Sequence, residues 1–302
     1  MSWKPPVPVR RSLLPAAAVL VVLGAGAAAH ANKPVPFGDV LVKPGAVDAS
    51  PVGAQSRATG ALELKVGPGL EAYDRLTDEH LWSYRREGAT ALHLSMVGEN
   101  AVVVWDDGMV TSVRPADHEV RWHRAVPGLA EWLAGTDLKD AGTRTESAKL
   151  ATAVRRAAAA LQPVNEADGG WVAVVTPALT MGFREADGDL RFNSRPPSGC
   201  SYDPMRAVHT DFAVLVPRSC VGTTSAGGPL PGGVTGFKLN GRGFQLGAGP
   251  GVVLRPLDEQ RVSIEDGPVL GTRVYDTRHA APESACTSDF AALHPRPSCP
   301  TG

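Results

Sequence analysis

The most constraining feature of this 302-residue sequence is a hairpin pattern that occurs twice at a fixed distance. The stretches AYDRLTDEHLWSYR, from Ala72, and VRPADHEVRWHR, from Val113, each combine a strand-like start, a polar turn containing Asp and a second strand that includes Trp. Trp82 and Trp122 are 40 residues apart. This distance is typical of one four-stranded sheet of a β-propeller, which takes about 40–45 residues. The sequence therefore predicts a repeat architecture.

Two weaker copies of the hairpin extend the pattern. One ends at Phe192 after the turn EADGD, and another begins at Arg255, where RPLD repeats the RPAD of residues 114–117 but Ser263 replaces the aromatic residue. Short runs of β-forming residues fill most of the region from residue 61 to 275. We expect an all-β, β-propeller-like domain over 61–275, with about four or five degenerate or incomplete blades.

One segment of this domain has a helical pattern instead. In TRTESAKLATAVRRAAAALQP, Thr143 and Glu146 match a capping box, and Pro163 would end the helix. The apolar residues that would share one helix face are Leu150, Val154, Ala157, Ala158 and Leu161. The pattern predicts a helix inserted at about 143–162, which either packs on the rim of the domain or binds a partner.

The N-terminus carries an export signal. Lys4, Arg10 and Arg11 precede an uncharged apolar run over residues 13–29, and Ala29-His30-Ala31 matches a cleavage site. The basic flank should stay in the cytoplasm, which places the rest of the chain outside. We expect either a single-pass protein of the cell membrane, anchored through residues 13–29, or a secreted protein cleaved after Ala31. Residues 32–60 are rich in Pro, Gly and Ala and are expected to form an extended spacer.

The four cysteines all lie in the last third of the chain. Export to an oxidising compartment favours disulfides. Of the three possible pairings, Cys200–Cys220 with Cys286–Cys299 is the simplest. The second pair would belong to a C-terminal tail over residues 276–302.

The hairpins resemble the repeats of the PQQ-binding-like β-propeller family, including its exported, assembly-factor-like branch without enzyme activity. The resemblance is good over residues 72–124, fair over 179–220 and weak after 221. In that family the Trp of each repeat docks between neighbouring blades and the turn carries Asp-Gly. The resemblance therefore implies that Trp82, Trp122 and Phe192 are structural docking aromatics. Only Asp187-Gly188 keeps the turn glycine, which Glu79 and His118 replace in the other copies.

The sequence offers little sign of a reaction. It contains no H-E-x-x-H, G-x-S-x-G, P-loop or C-x-x-C motif. The pairs Asp106-Asp107 and Asp187-x-Asp189 fall in predicted turns, where Asp bonds its own backbone more often than a metal. The histidines show no ligand spacing, and glycines 241–247 read as turn residues. An enzyme of the related quinoprotein group needs an eight-bladed ring and usually an adjacent Cys pair, which this chain lacks. We therefore expect no catalytic residue, metal or cofactor.

These features favour an exported, membrane-anchored, non-catalytic scaffold that binds an envelope protein or a cell-wall component. A net charge of −1 gives no general attraction to nucleic acid. Two alternatives stay open. One is a secreted enzyme, either a quinoprotein-like oxidoreductase or a hydrolase, with its site at the propeller mouth. The other is a degenerate paralogue without retained function.

Overall fold

The computed structural model describes residues 36–42, 55–135, 145–166, 169–223, 232–241, 243–248, 251–265, 271–279 and 281–282. The apolar run over residues 13–29 and the cysteines Cys286 and Cys299 lie outside these ranges. Within them, no helix has the length and apolar character needed to cross a membrane.

The described residues form five antiparallel sheets that follow one another along the chain. Sheet 1 has the order β1-β5-β4-β3-β2, and its strands are β1 (Asp39–Val42), β2 (Ser56–Thr59), β3 (Leu62–Val66), β4 (Leu70–Asp74) and β5 (His80–Arg86). Sheet 2 contains β6 (Ala91–Val97), β7 (Asn100–Trp105), β8 (Met109–Arg114) and β9 (Glu119–Ala125). Sheet 3 contains β10 (Leu161–Val164), β11 (Trp171–Thr176), β12 (Leu179–Arg184) and β13 (Leu190–Ser194).

The last two sheets are less regular. In sheet 4, both β14 (Cys200–Tyr202) and β15 (Val208–His209) pair with β16 (Val214–Cys220), which is followed by β17 (Gly233–Phe237) and β18 (Phe244–Leu246). A 3₁₀ turn, Pro204–Arg206, separates β14 from β15. Sheet 5 contains β19 (Val253–Pro256), β20 (Arg261–Glu265), β21 (Thr272–Asp276) and β22 (Ala281–Pro282). Five sheets agree with the expected four or five.

The sheets are arranged around a common axis. Their inner strands contact each other in series, β2 with β6, β6 with β10, β10 with β15, and β15 with β19. Consecutive sheets then pack face to face, and four apolar cores join sheets 1 and 2, 2 and 3, 3 and 4, and 4 and 5. This arrangement is β-propeller-like. Within the described ranges, none of these cores joins sheet 5 to sheet 1.

Packing on both faces explains the most apolar strands of the sequence. Every residue of β7 (NAVVVW) and of β11 (WVAVVT) is buried. A strand that is covered on both faces needs apolar side chains at successive positions rather than at alternate ones. These two strands are therefore the central elements of the cores on either side of sheets 2 and 3.

Two helices lie between sheets 2 and 3. The first, α1 (Leu129–Ala134), was not predicted, and the second, α2 (Glu146–Ala160), is the expected insert. Thr145, rather than Thr143, caps α2 by accepting a hydrogen bond from the Ala148 amide at 3.3 Å. Pro163 does not end the helix, because β10 already begins at Leu161.

Most of the expected apolar face of α2 is confirmed, because Ala157 and Leu161 are buried and Val154 packs against the same core. Ala157 and Ala160 are buried against the core between sheets 2 and 3, whereas Leu150 is 52% exposed. The helix contacts β6, β10 and β11, so it packs on the propeller-like body.

The expected spacer over residues 32–60 contains two strands. The first, β1, pairs with β5 at the outer side of sheet 1, and β2 pairs with β3 at the inner side. The Pro and Gly residues around these four-residue strands gave them the composition of a linker. Likewise, Asp276 and β22, placed in the tail by the sequence, belong to sheet 5.

Candidate functional site

The predicted docking aromatics occupy equivalent positions in the sheets. Each lies on the outer hairpin strand, directly opposite a small residue of the preceding strand. The opposed pairs are Trp82 with Ala72, Trp122 with Ser112, Phe192 with Gly182, and Phe244 with Gly236. In sheets 3 and 4 the ring lies where a Cβ on the opposite glycine would be, so only glycine fits there. Phe244 was missed by sequence reasoning because it lies only eight residues after its opposed glycine, whereas the other three aromatics lie ten residues after theirs.

Each of these aromatics contacts the next sheet. The Trp82 ring lies 5.2 Å from the His118 ring, and the Trp122 ring lies 6.1 Å from Phe183. The other two rings stack on aromatic residues of the following sheet, Phe192 on Phe237 at 5.3 Å and Phe244 on Tyr275 at 5.5 Å. Each of the four rings therefore links its own sheet to the next one.

Three of the four hairpin turns share a residue with positive φ, four positions before the aromatic. These residues are Asp78 (φ 54°), His118 (φ 63°) and Gly188 (φ 68°). The expectation that Glu79 occupies this position in the first turn was therefore wrong by one residue. Asp and His tolerate this conformation better than most non-glycine residues, which explains how the turn survives without glycine.

The carboxylates of the turns bond to backbone and arginine. Asp117 and Asp187 pair with Arg114 and Arg184, and these guanidinium groups hold the pKa of each carboxyl below its usual range. Asp187 also accepts from the Asp189 amide at 3.0 Å. The other predicted pair is used in the same way. Asp106 accepts from the Thr90 amide, and Asp107 accepts from the Met109 amide and pairs with Arg86 at 2.9 Å. No group of three or more His, Cys, Asp or Glu side chains within the described ranges is placed to hold a metal.

The fourth hairpin copy proposed from sequence joins different strands. Arg255 lies in β19, the first strand of sheet 5, and Asp258 follows that strand, whereas Arg114 ends β8, the third strand of sheet 2, and Asp117 follows it. Ser263 is therefore not at a docking position. Asp258 nevertheless makes the same kind of turn, accepting from the Gln260 and Arg261 amides. The similarity reflects turn chemistry and not an equivalent place in the repeat.

The disulfide Cys200–Cys220 is confirmed. It joins directly opposite residues of β14 and β16 and closes the segment that contains the 3₁₀ turn and β15. Cys286 and Cys299 lie outside the described residues, so their pairing stays a prediction.

A buried hydrogen-bond chain fastens β1 to sheets 1 and 2. Trp105 Nε1 donates to Thr111 Oγ1 at 3.1 Å, and Thr111 Oγ1 is 3.1 Å from His123 Nδ1. His123 Nε2 lies 2.9 Å from Asp39 Oδ2, and the Tyr84 hydroxyl donates to Asp39 Oδ1 at 2.6 Å. Burial lowers the pKa of His123, although Asp39 opposes the shift. The order hydroxyl, imidazole, carboxylate resembles a hydrolase triad, but Thr111 is fully buried and inaccessible to a substrate.

A cavity of about 420 Å³ lies at the axis, where the inner strands of sheets 1 to 4 meet α2. Its lining combines polar and apolar residues: Arg57, His93, Ser95, Met96, Ala158, Leu161, Gln162, Pro163 and His209. Sequence reasoning treated His93 and His209 as two of several scattered histidines. The structure brings them to one cavity from β6 and β15.

Both cavity histidines have a side-chain partner. His93 Nε2 lies 3.2 Å from Ser95 Oγ, and His209 Nδ1 lies 3.0 Å from Gln162 Oε1. Burial, with a smaller contribution from Arg57, lowers the pKa of His93 to about 4. Burial of the ring also lowers the pKa of His209, although the residue as a whole is exposed and Asp211 opposes the shift. Both imidazoles are therefore neutral near pH 7.

A second cleft of about 390 Å³, with more charged residues, lies between the turns of sheets 2 and 3. Its charged residues are Glu99, Arg114, Arg121, Glu166 and Glu185. Asn100 donates to Glu185, and burial raises the pKa of that carboxyl. The acids and bases here largely balance, and the Glu185 carbonyl receives the Trp122 indole N–H at 2.8 Å. The cleft is therefore part of the contact between sheets 2 and 3.

No protein-family model matches the sequence, and no curated protein matches it. Similar solved structures include the following three. BamB from Moraxella catarrhalis is 12% identical, with 70% of this chain and 55% of that chain covered and a TM-score of 0.40. The WD40 domain of Toxoplasma gondii coronin is 7% identical over 74% and 54%, with a TM-score of 0.41. A europium-containing methanol dehydrogenase is 10% identical over 80% and 52%, with a TM-score of 0.46. The chain spans about half the length of each.

Proposed function

We propose that this protein is an exported, membrane-anchored, non-catalytic scaffold that binds another envelope protein through strand β1. The observation that carries the proposal is the character of this strand. It is the outermost strand of sheet 1, and Val40 and Leu41 are each 44% exposed on it. No described strand pairs with its outer edge, and such an edge with exposed aliphatic residues is a template for strand addition by a partner.

The hydrogen-bond register determines which groups β1 offers. The Glu87 amide donates to the Gly38 carbonyl at 2.8 Å, so this opposed pair is hydrogen-bonded. Hydrogen-bonded and non-bonded pairs alternate along an antiparallel ladder. Val40 and Val42 therefore bond to β5, whereas Asp39 and Leu41 direct their N–H and C=O groups away from the sheet. Leu41 supplies an outward donor and acceptor beside its own exposed side chain.

The outer strands of sheets 2 and 3 differ from β1 in charge. Glu119 and Arg121 lie on β9, and the exposed Arg191 lies on β13. Charged residues on an outer strand discourage pairing with another chain. Residues 40–42 of β1 carry no charge, so β1 is the outer strand of these three that is best suited to receive a partner strand.

The position of β1 along the chain agrees with a partner in the envelope. Only residues 30–36 separate the apolar run from Phe37, and seven residues reach at most about 25 Å. If residues 13–29 anchor the chain, a segment added to β1 lies close to the membrane surface. A non-catalytic role is supported by the use of the turn carboxylates as backbone acceptors and by the burial of Thr111.

Site-specific photocrosslinking in the native envelope tests the proposal. A crosslinker at position 41 should capture a discrete partner, identified by mass spectrometry, and one at position 191 should not. Leu41→Pro removes the outward N–H but leaves the β1–β5 hydrogen bonds, which use Val40 and Val42. It should abolish capture by a crosslinker placed at position 40, whereas Leu41→Thr, which keeps the N–H, should retain it.

The same samples report the fate of the N-terminus. Recovery of peptides from residues 13–29 in the membrane fraction would support anchoring, and a mature N-terminus at residue 32 would support secretion instead. Equal capture by the proline and threonine variants, or by positions 41 and 191, would refute strand addition to β1.

A further inference from the structure

The axial cavity has a net positive lining. Arg57 contributes a guanidinium group and His93 and His209 contribute imidazoles, and none of the lining residues is acidic. Arg57 makes no ion pair and no hydrogen bond with any described residue. An arginine is permanently charged, and its planar donors match a carboxylate or a phosphate. Most other arginines of the sheets have such a partner, as in Arg114 with Asp117.

The position of Arg57 is set by hydrogen bonds between the nearby Gln55 side chain and the backbone of β6. The side-chain amide of Gln55 bonds to both backbone groups of Leu94, donating to its carbonyl at 3.0 Å and accepting from its amide at 3.1 Å. This pair of bonds fixes the start of β2 against β6. Because side chains alternate along a strand, Arg57 lies on the same side of β2 as Gln55, toward β6 and His93.

The histidines leave one ring nitrogen each for a ligand. His93 uses Nε2 toward Ser95, and His209 uses Nδ1 toward Gln162. The remaining nitrogens, His93 Nδ1 and His209 Nε2, have no hydrogen-bond partner among the described residues and are not among the fully buried orphan atoms. They are therefore free to face the cavity.

Several other residues of the lining are apolar. Met96, Leu161 and Pro163 come from the inner strands, and Ala158 comes from α2. A volume of about 420 Å³ is within the usual range for small-molecule sites and far exceeds the size of one inorganic anion. The lining thus combines cationic and apolar groups.

We propose that the axial cavity binds a small organic anion, with its carboxylate or phosphate on Arg57 and its apolar body against Leu161, Ala158 and Met96. His93 and His209 contact the same anion through their free nitrogens. A neutral imidazole becomes a better donor by taking up a proton, so binding is accompanied by proton uptake at these residues. Arg57 opposes protonation of His93, and Asp211 favours protonation of His209. This site is separate from β1 and does not depend on the proposed strand addition.

Isothermal titration calorimetry of the full-length chain in detergent tests the site. Benzoate and phenyl phosphate serve as organic anions. Benzamide is the neutral analogue, and inorganic phosphate is the small anion. We expect saturable binding of an organic anion, and affinity at least about tenfold lower for benzamide and for inorganic phosphate. Arg57→Gln should lower the affinity for the organic anion by a similar factor. Because Arg57 is exposed and unpaired, this variant should fold normally. Arg191→Gln removes an exposed arginine on β13 and should change nothing.

Two further readouts separate a site on the axis from general attraction to positive charge. Ala158→Phe places a ring in the cavity and should abolish binding while Arg57 remains. Titrations in buffers of different ionisation enthalpy should reveal proton uptake that disappears in the His93→Gln, His209→Gln double variant. Absence of saturable binding up to about 10 mM, equal affinity for benzoate and benzamide, or equal affinity in the wild type and Arg57→Gln would overturn the proposal.

Discussion

Truncation of Trp122 is the sharpest test of how consecutive sheets are held together. Its side chain belongs to the core between sheets 2 and 3 and is 4% exposed. The indole contacts Phe183, and its N–H donates to the Glu185 carbonyl at 2.8 Å. Trp122→Ala therefore removes apolar contact with sheet 3 and leaves a carbonyl of that sheet without its donor.

The magnitude follows from these contacts. A tryptophan buries about 150–250 Å², which at about 25 cal/mol per Å² corresponds to about 4–6 kcal/mol. Partial collapse of the cavity offsets some of this loss, and the orphaned carbonyl of Glu185 adds about 1 kcal/mol. We expect Trp122→Ala to lower the free energy of unfolding by about 3–5 kcal/mol. Trp122→Phe keeps a ring and loses the hydrogen bond, so its cost should be about 1–2 kcal/mol.

Gly188 makes the test specific to the contact between the two sheets. A Cβ on Gly188 would lie 2.5 Å from Trp122 Cγ, and the φ of 68° adds a backbone cost of about 1 kcal/mol. Gly188→Ala should thus destabilise the wild type strongly. In the Trp122→Ala background the overlap is gone, and only the backbone cost of about 1 kcal/mol should remain. The double-mutant cycle should therefore show a coupling of at least about 1 kcal/mol.

Urea denaturation followed by far-ultraviolet circular dichroism measures the free energies, since the backbone signal persists in a variant that has lost a tryptophan fluorophore. Hydrogen exchange in β9 and β12 reports whether the loss is local to sheets 2 and 3. A denaturation curve unchanged by Trp122→Ala, or additive effects of the two substitutions, would show that this aromatic does not tie the sheets together.

Three other predictions follow from described contacts. Replacing Cys200 and Cys220 together by Ser should lower the free energy of unfolding by about 3 kcal/mol, because the disulfide closes a loop of about 20 residues; equal thermal midpoints of this variant and the oxidised wild type would contradict this. Burial keeps the pKa of His93 near 4, below its value in the unfolded chain, so the free energy of unfolding should fall as the pH drops from about 6.5 to 4 and level off below that. The contribution of this residue should be at most about 3 kcal/mol. Denaturation measured at several pH values in this window should show a flatter slope for His93→Gln. Titration of the full-length chain with pyrroloquinoline quinone and calcium should give no calcium-dependent binding, and a dye-linked assay should show no dehydrogenase turnover; either signal would favour the oxidoreductase alternative.

The repeat was predictable from sequence because the residues that define it are close together along the chain. Trp82 and Trp122 each follow their turn within a single hairpin, so spacing alone identifies the unit and its length. The continuous apolar run of β7 likewise indicates a strand covered on both faces. Both signals depend on local pattern and on burial, which a sequence records directly.

The phase of the repeat was harder to predict, because different residues perform the same task in different turns. Asp117 accepts from the amide two residues later, and in the first turn the hydroxyl of Thr77 does so for Glu79 at 3.3 Å. Asp74 instead accepts from Leu76 and Thr77, three positions before the residue equivalent to Asp117. Asp78, in contrast, lies one position later in its turn than Asp117 and Asp187 do in theirs, so aligning the turns by Asp78 shifts the first turn by one residue. This shift accounts for the error at Glu79, and a similar alignment by Asp258 misplaced the strands of sheet 5.

The axial cavity could not be predicted from any one segment, because its polar residues come from four sheets. Arg57 lies on a four-residue strand in a stretch with linker composition, and His209 lies on a strand of two residues. Neither strand is long enough to show a period. Yet the topology makes their meeting necessary: the inner strand of every sheet lines the axis, so polar residues on those strands converge wherever they lie in the sequence. Once β2, β6, β10 and β15 are recognised as inner strands, the guanidinium, the two imidazoles and the amide have one place to meet. The information that sequence reasoning lacked was the identity of these short strands rather than the chemistry of their side chains.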